Sequence, residues 1–85
     1  MISILIPVYN YSVLKLVNDL HAQATVLSCA FEVIVADDCS DAEYIEQNAA
    51  IEKLSNVRFI RLSENMGRAR IRNFLAHEAQ FPYLI

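Results

Sequence analysis

Glu32-Val33-Ile34-Val35-Ala36-Asp37-Asp38-Cys39-Ser40-Asp41 is the stretch that decides the fold. An apolar, β-branched run stops at two adjacent carboxylates, and a short polar turn follows. Such a run suits a strand buried on both faces of a parallel sheet. In open α/β sheets, ligands bind outside the carboxyl ends of the strands. A strand that ends in Asp37-Asp38 therefore sets its charges at the edge where a ligand would sit.

Working outward, Ile2 to Ile6 is a second apolar run, with Pro7 expected at its end because proline cannot serve a central ladder. Asn10 or Ser12 is placed to cap a helix, along which Val13, Leu16, Val17, Leu20, Ala24 and Leu27 recur at helical spacing. After the acidic strand, Ser40-Asp41-Ala42-Glu43 has the form of a capping box. It predicts a second helix from Asp41 through Ile45 and Ala49 toward Leu54. Val57 to Leu62 alternates like a strand with one more polar face. Arg68 to Gln80 reads as a third helix, with Ala69, Ile71, Leu75 and Ala76 available for packing, and a fourth strand opens at Tyr83. The order β-α-β-α-β-α-β predicts a Rossmann-like parallel α/β sheet with right-handed crossovers.

The chain of 85 residues has room for one small domain, and 55% hydrophobic residues exclude a disordered chain. A net charge of −3 argues against nucleic acid as a partner. No apolar run approaches the roughly 20 residues of a membrane span, and the start lacks a signal peptide's basic region; a cytoplasmic location is expected. Cys29 and Cys39 form neither a metal-ligand pattern nor a disulfide framework and read as reduced thiols, Cys29 packed. Gly67 is the only glycine, which suggests a special backbone position. Phe81-Pro82-Tyr83-Leu84-Ile85 reads as a turn and the opening of a buried strand, so a piece of a longer protein is expected. An open sheet edge would then favour self-association.

The first loop, Pro7-Val8-Tyr9-Asn10, has no glycine, which argues against dinucleotide binding of the G-x-G-x-x-G type. The absence of a Walker A sequence excludes P-loop chemistry. The carboxylates of Asp37 and Asp38 can accept hydrogen bonds from a base N–H or a ribose hydroxyl. The alternative role for either is to cap the turn or the next helix; adjacent residues point in different directions, so at least one of them is expected to face a ligand. Arg68, Arg70 and Arg72 open the third helix, where cations are unfavourable unless an anion such as a diphosphate arrives. They cannot share one face, so Arg68 or Arg70 is expected to be solvated. His21 and His77 have no nearby partner in sequence and are read as packing or surface residues.

Together, Ser3-Ile4-Leu5-Ile6-Pro7-Val8-Tyr9-Asn10, Val33-Ile34-Val35-Ala36-Asp37-Asp38-Cys39-Ser40-Asp41, and Asn65-Met66-Gly67 through Arg72-Asn73 resemble the family 2 glycosyltransferases. The resemblance runs from the first strand to the last residue. It implies the N-terminal, nucleotide-sugar-binding half of a GT-A fold, and an enzyme that transfers a sugar from a nucleotide-diphosphate donor with inversion. Uridine diphosphate is the expected donor nucleotide, and a saccharide or other hydroxyl the expected acceptor. By resemblance, Pro7, Val8 and Tyr9 lie beside the nucleotide, Asp37 or Asp38 bonds the base, Arg72 reaches the nucleotide, and Asn65 and Gly67 shape the adjoining loop. Cys39 stands where glycine is common, and Ile71 where alanine is usual. The resemblance also implies Mg²⁺ or Mn²⁺ on the donor diphosphate, with an Asp-x-Asp-type motif expected beyond residue 85. The 85 residues alone are therefore expected to be inactive. Two alternatives are a phosphorylatable receiver domain, which also pairs aspartates at a strand end, and a non-catalytic nucleotide-binding module.

Overall fold

The computed structural model describes residues 2–27, 30–81 and, as backbone only, 83–84. Four parallel strands form one sheet: β1 (Ile2–Val8), β2 (Phe31–Asp37), β3 (Val57–Arg61) and β4 (Tyr83–Leu84). Between them run α1 (Leu14–Val26), α2 (Ala42–Asn48) with a 3₁₀ helix Ala49–Lys53, and α3 (Arg68–Glu78). The expected element order is present. The expected packing of Cys29 falls outside the described residues.

The sheet order is β3-β2-β1-β4. The chain steps outward from β1 to β3 and then crosses back to the far side of β1, so the direction of winding reverses between β1 and β4. A receiver domain instead places its third strand beside its first. Here β3 pairs with β2, which removes the receiver alternative.

Period-2 alternation divides the sheet into two faces. Ile4, Ile6, Val8, Val33, Val35, Val57 and Phe59 pack on one side with Val13 just before α1, Val17 of α1 and Ile51 of the 3₁₀ helix. On the other side, Leu5, Ile34, Ala36, Ile60 and Leu62 pack with Ile71, Phe74 and Leu75 of α3. The acidic strand lies at the centre of the order and is buried from Glu32 to Asp37. Ala69 and Ala76 are exposed, so α3 packs through Ile71, Phe74 and Leu75.

Pro7 lies inside β1, paired with Ala36, one residue before the strand's end. The ladder tolerates it by parity. Ile2 N–H donates to Ala30 C=O at 3.0 Å and Val8 C=O accepts from Asp38 N–H at 2.8 Å, so even-numbered residues of β1 serve β2. Pro7 turns its missing donor to the opposite side, beyond the paired Ile2 and Ser3 of the β1–β4 ladder.

Three helix boundaries differ from expectation. Neither Asn10 nor Ser12 caps α1; Val13 holds the cap position, and its N–H donates to Asn48 Oδ1 at 2.8 Å. The capping box at Ser40 does not form, because the serine hydroxyl is used within the preceding turn; α2 starts at Ala42 and gives way to 3₁₀ geometry at Ala49. On α1, Val13 and Val17 are buried while Leu16 is 49% and Leu27 73% exposed. Leu16 sits about 100° around the helix from Val17, and Leu27 follows the last helical residue.

Candidate functional site at the sheet switch point

The two adjacent carboxylates have separate tasks. Asp37, fully buried at the end of β2, accepts the Ser40 N–H at 2.8 Å and the Ser40 hydroxyl at 2.6 Å, which closes the polar turn. Asp38 reaches the opposite way. Its Oδ1 accepts Met66 N–H at 2.6 Å, its Oδ2 accepts Gly67 N–H at 3.1 Å, and its carbonyl accepts Asn65 Nδ2 at 3.0 Å. An ionised carboxylate offers about four acceptor positions, so two backbone bonds leave about two for a ligand.

Gly67 shows why that loop needs its glycine. Its φ is 83°, and a Cβ there would meet nothing within 4 Å, so the requirement comes from the backbone conformation and not from space. The geometry aims the Met66 and Gly67 amides at Asp38 and releases the chain into α3.

Above the carboxyl ends of β1 and β2 and the start of α3 lies a cleft of about 850 Å³. Pro7, Val8, Tyr9, Asp38, Asn65 and Gly67 line it, together with Arg68 and Ile71. The sequence reading named the first six. Of the adjacent pair, Asp38 faces this space; Asp37 does not, being spent on Ser40. Arg72, the arginine singled out by resemblance, is exposed but not among the lining residues. Arg68, one turn earlier on the same helix face, takes the place at the cleft. The spacing of the arginines carried that signal; which of them reaches the cleft depends on the angle at which α3 leaves Gly67.

The cleft carries charge of both signs, Asp38 and Arg68. Arg58 pairs with Glu78 at 2.7 Å and Arg61 with Glu52 at 3.1 Å, whereas Arg68, Arg70 and Arg72 form no ion pair among the described residues. Their charge adds to the positive end of α3. Among the described residues, no three His, Cys, Asp or Glu side chains converge to hold a metal ion, and both aspartates of the turn are committed to hydrogen bonds. His21 lies outside the cleft, with Nε2 2.9 Å from the Ser55 carbonyl oxygen and its ring edge-on to Phe31. Among the described residues, no helix is long and apolar enough to cross a membrane.

A parallel sheet with a 3-2-1-4 start and a cleft at its reversal point defines a Rossmann-like domain. The sequence profile of Glycosyl transferase family 2 matches residues 3–85, and the chain belongs to that family. A search of curated proteins returns no match. Among solved structures, S. aureus TarS residues 1–349 superposes with a TM-score of 0.78 at 26% identity, covering 99% of this chain and 26% of that one. The same protein in complex with UDP gives a TM-score of 0.78 over 25% of its length. The mannosyltransferase PcManGT from Pyrobaculum calidifontis, in complex with GDP-Man and Mn²⁺, is similar in fold, with a TM-score of 0.68 at 16% identity over 93% of this chain and 24% of that chain. The chain thus spans about a quarter of the length of these structures. Its fold is the α/β, Rossmann-like arrangement of these glycosyltransferases.

Proposed function

We propose that the cleft is the donor-nucleotide half of a glycosyltransferase site, and that the whole enzyme transfers a sugar from a nucleoside-diphosphate donor, UDP in the first instance, to a hydroxyl acceptor with inversion. The observation that carries this reading is Asp38: a carboxylate held rigid by two backbone amides, with acceptor positions left over, in a cleft at the sheet's switch point. It accepts an N–H of the base. Pro7, Val8 and Tyr9 form the wall against which the nucleoside lies, and Asn65 and Gly67 hold the loop that carries Asp38's partners. The unpaired Arg68, with Arg72 a turn behind, supplies positive charge for the diphosphate. UDP bound to the TarS neighbour supports the choice of nucleotide.

The residues described here do not form a metal site, so no step in this reading passes through a cation. Among the described residues, no side-chain cluster fits the divalent ion that the resemblance implies. The role this assigns to the residues of the cleft is nucleotide binding.

The test is an NMR titration of the ¹⁵N-labelled chain with UDP, repeated on Asp38→Asn, Arg68→Ala and Arg72→Ala. Binding in the millimolar range, about −4 kcal/mol, is expected, with shifts at Val8, Tyr9, Asp38 and Gly67. Asp38→Asn replaces an acceptor by a donor and should abolish the shifts. Arg68→Ala should weaken binding about tenfold, and Arg72→Ala less. A folded chain that shows no shift at saturating UDP sinks the uridine assignment.

A further inference from the structure

The least conspicuous polar side chain of the acidic turn is Ser40, whose expected role was to open α2. It is buried, at 7% exposure, and it caps nothing on that helix. Its hydroxyl lies between a carboxylate and an amide: it donates to Asp37 Oδ1 at 2.6 Å and accepts the Asn10 N–H at 2.8 Å. A hydroxyl has one proton to give. Asp37 accepts that hydrogen bond and so orients the hydroxyl with a lone pair toward Asn10. A second bond runs in the reverse sense, from Asp41 N–H to Asn10 Oδ1 at 2.9 Å. The loop after β1 and the turn after β2 are thus fastened at two points, both on Asn10.

Asn10 directly follows the cleft wall Pro7-Val8-Tyr9, and its backbone is left-handed, with φ at 48°. Tyr9 is 55% exposed, and no side-chain hydrogen bond tethers its ring among the described residues. The course of the chain at Asn10 therefore sets where Tyr9 stands. We propose that Ser40, oriented by Asp37, is a positioning residue that fixes the Tyr9 wall of the cleft through Asn10. Asp37 then acts at one remove, and the serine of the D-D-x-S sequence is what links the acidic turn to the aromatic wall. As a statement about ligand binding this rests on the nucleotide reading of the cleft; as a statement about Asn10 and Tyr9 it does not.

The experiment compares the wild-type chain with Ser40→Ala and Ser40→Thr, by amide hydrogen exchange and by UDP titration. In Ser40→Ala, the Asn10 amide should exchange at least about tenfold faster and the Tyr9 resonances should move, while Ile34 and Val35 keep their wild-type rates. UDP should bind about fivefold more weakly. Ser40→Thr keeps the hydroxyl and should restore both. Unchanged Asn10 protection and Tyr9 shifts in Ser40→Ala overturn the proposal, as does equal acceleration of Asn10 and the β2 core, which would mean general loosening. If wild-type chain fails to bind UDP, the nucleotide reading falls while the exchange data still decide the role of Ser40.

Discussion

At Cys39 the backbone takes φ of 62°, in the left-handed region that a side chain with a Cβ adopts at a cost of roughly 1 kcal/mol. The family resemblance puts glycine there, and the conformation explains why glycine suits the turn. Sγ lies 3.7 Å from the Ser63 carbonyl oxygen, a weak compensation at an exposed position. Cys39→Gly should be neutral to about 1 kcal/mol stabilising in urea denaturation, the relief of strain opposing the added freedom of the unfolded chain. Cys39→Val, β-branched at positive φ, should destabilise by more than about 1 kcal/mol. Gly67→Ala belongs to the same scale. With open space around the missing Cβ, any loss comes from backbone strain, about 1–3 kcal/mol. Because the Gly67 amide bonds Asp38, the loss should be accompanied by weaker UDP binding. If Gly67→Ala costs nothing, the loop is more pliable than its hydrogen bonds imply.

At the scale of elements, Asn48 is the residue that the sequence concealed. It sits fully buried at the last position of α2, within a helical pattern that gives no reason to notice it. Its Oδ1 accepts the Val13 N–H, and its Nδ2 donates to the Tyr11 carbonyl, both at 2.8 Å. One side chain from α2 thereby supplies the cap that α1 lacks and holds the loop behind the cleft wall. Asn10, expected to cap α1, instead accepts the amide of Asp41 just before α2. The two asparagines exchange roles across the helix pair, a relation between segments some 35 residues apart that no local pattern encodes. Asn48→Ala leaves two backbone groups without partners and should cost about 2–4 kcal/mol. Asn48→Leu fills the space without the polar groups and should cost about as much in chemical denaturation. Recovery of stability with leucine would show that packing, and not the cap, accounts for the effect.

For the whole molecule, the formal charge of −3 opposes an anionic ligand at long range, while Arg68, Arg70 and Arg72 attract it at the cleft. At about 0.1 M salt the Debye length is near 10 Å, so the distant charges are largely screened and the local ones still act. UDP binding should therefore weaken steadily as salt rises from low values. Binding that strengthens with salt would mean that the net charge governs and that the arginines lie too far from the diphosphate. The same scale decides the fold comparison. A β-α-β-α-β-α-β order is shared by receiver-like and dinucleotide-type sheets, and the pairing of β3 with β2 separates them.

The sequence by itself determined the element order, the buried centre of the sheet, the family, and most of the cleft. The first two follow from local chemistry, since apolar runs make buried strands and charged residues stop them; the family and the cleft residues follow from the motif resemblance. Pro7, Val8, Tyr9, Asn65 and Gly67 were legible through the family resemblance, and Asp38 as one of the adjacent pair at a strand's carboxyl end; all six line the cleft. Only the tertiary structure decided which aspartate turns inward to Ser40 and which outward to the cleft, and that Arg68 rather than Arg72 lines it. It alone decided that Asn48 caps a helix it does not belong to. The reason is the same in all three cases. A side chain's partner is set by where distant segments lie after the sheet has formed, and residues side by side in sequence carry no record of that.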